Sequence, residues 1–269
     1  MSITSLYSAA SGMRAMETQL DVIGNNLANS NTHGFKSSRV NFEDLMYEAR
    51  RQPGSLNGQG DISSTGLLVG LGVRTSNTQL DFKQGAMEET GRSLDIVIEG
   101  NGFFKVETFD GASADGSAYA RVGNFTINNN GDLVLGTTDG PILSDDINIP
   151  ESVDVHSISV SSDGVVSGLE NGENVEIGTI ELHRFRNQQG LKQVGANLYI
   201  ESDASGPAIA GEPSTVGFGT LSNGFLESSN VDSVTELIRM IRTQRSFELN
   251  SQVIKATDET MQAVGRLRN

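Results

Sequence analysis

GNNLANSNTHGFK, residues 24–36, decides how the chain divides, because a helical pattern ends inside it and no helical pattern resumes for almost two hundred residues. It packs four asparagines into thirteen positions beside one lysine. An amide neither gives nor takes a proton near neutral pH, so such a stretch serves as a cap, a joint or a contact surface rather than as catalytic machinery. Asn25, Asn26 and Asn29 are placed to cap the end of the first helix. Gly34 allows a positive φ, and Phe35 supplies an apolar anchor.

Upstream, Leu6, Ala10, Met13, Leu20, Ile23 and Leu27 recur along one helical stripe, with Arg14, Glu17, Thr18 and Asp21 off it. At the other end, Val231, Val234, Leu237, Ile238, Ile241, Leu249, Val253, Ala256, Val264 and Leu267 repeat over more than thirty residues without a proline, and Asn230 or Asp232 offers an N-cap. Periodicity alone serves a coiled coil and an ordinary amphipathic core helix equally.

Between the ends the chemistry changes. All five prolines and 27 of the 31 glycines lie between residues 53 and 224. Short β-forming runs, LDIVI (94–98), GFFKVE (102–107), NFTI (124–127), DLVL (132–135), HSISV (156–160) and VEIGTIELHRF (175–185), alternate with the turn signals GNG, NNNG and SSDG. FTINNNGDLVL and ISVSSDGVVSG read as two hairpins of one design. The expected fold is α+β: N- and C-terminal helices pairing as a coiled coil (residues 1–45 and 228–269), a connecting region with a long hairpin (46–90), and a mainly antiparallel β domain (91–227).

Charge divides the chain in the same places. The net charge is −15; residues 1–52 hold five basic and five acidic side chains and residues 231–269 hold six and five, which leaves eight basic against 24 acidic in the middle. A nucleic acid or an anionic membrane would call for a basic face, so neither is an expected partner. No apolar run is long enough to span a bilayer, and the first residues do not read as a cleaved leader. Cysteine is absent, which rules out disulfides and thiolate metal sites.

Nothing in the pattern points to an enzyme or a cofactor. His33, His156 and His183 stand apart, without metal-ligand spacing, and His183 reads as a surface or half-buried strand residue. There is no GxSxG elbow and no dinucleotide or phosphate-loop fingerprint. Asp110–Asp115 lacks the ligand alternation of an EF-hand and reads as a solvated hairpin tip. A β-rich carbohydrate-binding or hydrolytic module would need paired carboxylates or aromatic platforms, yet tryptophan is absent and aromatics are 6%. A free-standing coiled-coil adhesin would form a small closed oligomer rather than an open polymer.

Three segments carry a resemblance. NNLANSNTHGFK with Ser8-Ala9-Ala10-Ser11-Gly12-Met13 upstream, LDIVIEGNGFFKV (94–106), and ESSNVDSVTELIRMIRTQRSFELNSQVIKATDETMQ (227–262) resemble, in that order, the signatures of the bacterial flagellar rod and hook proteins. YEARRQPGSLNGQGDISSTGLLVGLGV (47–73) resembles an extra segment of that family's distal rod members; the runner-up is a proximal rod subunit. The resemblance implies a structural subunit of the basal body, exported by the flagellar type III apparatus without signal cleavage. It further implies polymerisation into a straight hollow shaft across the periplasm, with proximal rod and hook-side proteins at its ends and the P and L rings around it. It assigns assembly to Asn25, Asn26, Leu27, Ala28, Asn29, Thr32, Gly34, Phe35 and Lys36. It assigns the helical interface to Leu6, Met13, Leu20, Ile23, Leu237, Ile241 and Val253, and straightening to the segment of Tyr47, Pro53, Gly54, Leu67 and Gly72.

Overall fold

The computed structural model describes residues 2–54, 65–108, 115–136, 140–145, 147–170 and 172–267. Ile62 of the expected hairpin and nearly all of Asp110–Asp115 lie outside the described residues. The chain forms two compact units: the first is Met1–Ala28, Ser38–Leu80 and Asp232–Asn269, the second Asn29–Ser37 and Asp81–Val231. One helix begins the fold, one ends it, and the middle is antiparallel β.

In the first unit, helix α1 (Ser2–Ala28) contacts helix α2 (Ser233–Leu267). Asp232 is the cap of α2: its carboxylate accepts the Val234 N–H at 3.1 Å and is held below the usual carboxylate range by its bonds to Thr235. The aliphatic stripes marked by periodicity are only partly buried within the chain. On α1 the buried positions are Ala9, Gly12, Ala15, Ile23 and Asn26, while Leu6, Met13, Leu20 and Leu27 are half-buried. On α2 the buried positions are Glu236 and Thr243, whereas Leu237, Ile241 and Val253 are 45%, 54% and 45% exposed. Small residues explain the choice. A Cβ built on Gly12 would lie 2.9 Å from Asn250 Nδ2, so the helices approach where side chains are short or polar, and most aliphatics of α2 are left exposed.

Four strands complete this unit: β1 (Ser38–Asp44), β2 (Tyr47–Arg51), β3 (Leu67–Gly70) and β4 (Val73–Leu80). β1 pairs antiparallel with β4, with a bulge at Asn41/Phe42, and β2 pairs antiparallel with β3. Leu45 N–H to Gly72 O (2.8 Å) and Leu71 N–H to Met46 O (3.2 Å) carry the ladder from one pair into the next. The result is one long ribbon. Every residue of β2 is exposed, as are Met46, Leu67, Leu68 and Leu71.

The second unit is built on a seven-stranded sheet in the order Lys192–Gly195, Leu198–Ile200, Ser117–Ala120, Phe104–Glu107, Ile142–Leu143, Leu133–Leu135, Phe125–Ile127, all antiparallel. Three strands, Ser159–Val160, Val165–Glu170 and Glu173–Thr179, form a second sheet. The two expected hairpins are present, at 125–135 and 159–170. HSISV is only half strand, because Asp154 accepts the His156 N–H and winds Val155–Ser157 into a single 3-10 turn. VEIGTIELHRF breaks at Ile180, whose N–H bonds Gly164 O, so that Leu182–Arg184 pairs instead with Ile209–Gly211. The core gathers Ile96, Ile98, Phe104, Phe125, Leu133, Val166, Ile180 and Leu182, with Phe104 edge-on to Phe125 at 5.2 Å.

Candidate assembly site

Asn26 caps no helix. Its amide copies a strand partner, donating to Ser38 O at 2.8 Å and accepting the Ser38 N–H at 2.9 Å, and it is 1% exposed. Asn29 starts a tight turn: Thr32 N–H bonds Asn29 O, and the Thr32 hydroxyl bonds Asn29 Oδ1, both at 3.2 Å. Gly34, at φ 70°, points its N–H at Glu227 O (2.7 Å). A side chain there would meet Val122 Cβ at 2.7 Å, so backbone conformation and space both require glycine.

Lys36 is the least expected member. Its side chain is 1% exposed, and its Nζ lies 2.6 Å from Glu227 Oε1 and 2.7 Å from Lys83 O. Arg121 grips the other Glu227 oxygen through Nε at 2.8 Å and donates to the carbonyls of Ile98, Gly100 and Gly102. Gly85 N–H adds a second donor to Glu227 Oε1, at 2.7 Å. Burial alone would raise the Glu227 carboxyl, but the charges of Arg121 and Lys36 outweigh it and hold it below the usual carboxylate range. Burial lowers the Lys36 ammonium, and the Glu227 charge offsets this only in part.

Asn230 finishes the stitching. Its Oδ1 accepts the Ser37 N–H at 2.8 Å, its Nδ2 donates to Asp81 O at 2.7 Å, and its backbone N–H reaches Phe35 O at 3.4 Å. Residues 34–37, 81–85 and 227–230 are therefore held as one polar knot inside the second unit. Sequence reasoning named the first of these segments for assembly. It missed Glu227 and Arg121 and read Asn230 only as a cap for the last helix; the signal for Glu227 was its place at the start of the third signature.

The knot is structural in chemistry. It has a fully bonded carboxylate and no free nucleophile, and among the described residues no group of three or more His, Asp and Glu could hold a metal ion. Nor is any helix among the described residues long and apolar enough to cross a membrane. A cleft of ≈ 570 Å³ opens beside Asn31, His33, Asn124 and Asn197. His183, expected at the surface or half buried, is 7% exposed beside Tyr119, and burial pushes it down to about 4.

Family models match three segments: the flagella basal body rod protein model at 6–36, the flagellar hook protein FlgE/F/G D1 domain at 97–168, and the flagellar basal body rod FlgEFG protein C-terminal model at 222–267. The flagellar basal-body rod protein FlgG of Buchnera aphidicola subsp. Baizongia pistaciae is 40% identical, covering 98% of this chain and 100% of its own. That of Bacillus subtilis (strain 168) is also 40% identical, covering 99% of each. This chain belongs to the flagellar basal-body rod family. Within that family it is most like the members named FlgG, whereas the flagellar hook protein FlgE of Escherichia coli (strain K12) is 24% identical across 97% of this chain. Each terminal rod model contributes one half of the knot, Gly34–Lys36 from the first and Glu227–Asn230 from the last.

Of the other residues singled out, Ile23 is buried, Asn25 and Ala28 are exposed, and Tyr47, Pro53, Gly54 and Leu67 are exposed on or next to the β2–β3 arm. Gly72 is half-buried at the foot of that arm.

Proposed function

We propose that the chain, a structural subunit of the distal rod, polymerises through the exposed aliphatic stripe of α2 into a straight hollow shaft that carries motor torque to the hook. The carrying observation is that Leu237, Ile238, Ile241, Leu249 and Val253 are 45–61% exposed on one helix. An apolar stripe of this length facing water is what an open-ended helical polymer buries between copies, with α1 and α2 of neighbouring subunits closing the seam as a coiled coil. The second unit, acidic and with its own core, suits the wet outside of such a tube.

The exposed β2–β3 arm then acts as a brace. Reaching to a neighbouring subunit, it stops the outer domains sliding, and sliding is what a tube must permit in order to bend. The setting is a shaft across the periplasm, joined to proximal rod and hook-side proteins and ringed by the P and L rings. Its subunits are delivered by the flagellar type III apparatus without a cleaved leader.

Ile241→Asp tests the polymer seam, since it would bury an unpaired charge between copies while lying outside the second unit's core. The expected result is loss of polymers with the near-ultraviolet signal of the second unit retained. Rods of normal length and number from this variant would remove the reading.

A further inference from the structure

At the foot of the β2–β3 arm, Gly72 lies against the third turn of α1. Its φ is 118°, and a Cβ there would sit 2.2 Å from Ser11 Oγ and 3.2 Å from Ser8 Cα, so no side chain fits. The Ser11 hydroxyl donates to Ser8 O at 2.8 Å, which aims its lone pair outward from the helix, and it accepts the Val73 N–H at 3.2 Å. Gly72 O in turn accepts the Leu45 N–H at 2.8 Å, tying both strands of the ribbon at one level. On the α1 side of this level, β1 and β4 contact the helix; beyond it, β2 is exposed throughout and the half-buried Val69 and Gly70 of β3 give way to exposed Leu67 and Leu68. The ribbon is held against the helix up to this level, and the described strands past it are largely exposed.

We infer that Ser11 and Gly72 form the latch that sets the stance of the β2–β3 arm on α1, making them positioning residues for the straightness of the rod. A lever's direction is fixed at its last firm contact, and this is that contact. The inference rests on the brace reading above. The hydroxyl is the part that can be removed without disturbing a fold, because Ala at position 11 keeps the helix and leaves the Val73 N–H without its partner.

The test compares electron micrographs of polymers from the parent, a Pro53–Thr65 deletion, Ser11→Ala and Ser11→Thr, together with amide exchange at Val73 in the assembled polymers. The expected result is curved or pliable polymers from the deletion and from Ser11→Ala, parent-like polymers from Ser11→Thr, and Val73 exchange about five- to tenfold faster in Ser11→Ala, the worth of one net hydrogen bond. Straight Ser11→Ala polymers beside curved deletion polymers would overturn the latch and leave the brace standing. Straight deletion polymers would overturn the brace, and with it any part for the latch in straightness.

Discussion

Lys36, Glu227 and Arg121 put two cations around one buried anion, and that imbalance decides what each substitution does. Removing Glu227 leaves two buried cations facing each other, whereas removing Lys36 leaves a balanced Arg121–Glu227 pair at 2.8 Å. Glu227→Gln is expected to cost about 3–5 kcal/mol and Lys36→Met distinctly less. Chemical denaturation of the full chain, monitored through the tyrosines of the second unit, would show the order; equal losses would contradict it. The Glu227 carboxyl is depressed in the folded state, so its stabilisation is complete above the ordinary carboxylate range and disappears as pH falls through its folded value. His183 acts in a higher window. Its folded value is about 4 against an ordinary 6.5, so between those limits the unfolded chain takes up a proton that the folded chain refuses, and stability declines as pH drops. A ring titrating near 6.5 by NMR in the folded protein would refute this. Neither residue announced its burial: a lysine closing an asparagine-rich loop and a histidine between apolar neighbours look like surface residues until their partners, 191 positions away for Lys36, are known.

At the scale of elements, the helices divide their faces by side-chain size. Gly12 meets Asn250 at the end of a flexible amide, which can yield a few tenths of an ångström, and alanine gains about 0.5–1 kcal/mol of helix propensity over glycine. Gly12→Ala should therefore assemble as well as the parent. Gly12→Leu, which no rotation of Asn250 can accommodate, should separate the helices and abolish polymers, as sedimentation of assembly reactions would show. Normal pelleting of Gly12→Leu would mean that the α1–α2 approach does not matter to assembly. The existence, type and rough extent of both helices were legible, because a 3.6-residue period over many turns admits few other readings. Which face turned inward was not. A single chain turns inward the stretch where the two backbones come close, with Ile23 buried beside short and polar residues, and leaves Leu237, Ile241 and Val253 exposed.

For the whole molecule, charge separation has a consequence for the polymer. The segment between the ends carries 24 acidic against eight basic side chains, so shafts that present it outward repel one another. Lateral bundling should be absent near neutral pH at low salt and should set in as pH falls toward about 4, where the carboxylates protonate. Light scattering of preformed polymers would register it, and bundling independent of pH would show that the acidic surface is not outermost. The sequence by itself determined the order helix, β segment, helix, the antiparallel character of the middle and the family, since these rest on local periodicity, glycine and proline placement and contiguous motifs. The tertiary structure decided the polar knot, the buried seam of small residues and the seat of the arm on Ser11. Each of these joins residues more than sixty positions apart whose meeting has no local signature, because a buried ion pair, a close helix approach and a hydroxyl acceptor all depend on where a distant segment comes to rest.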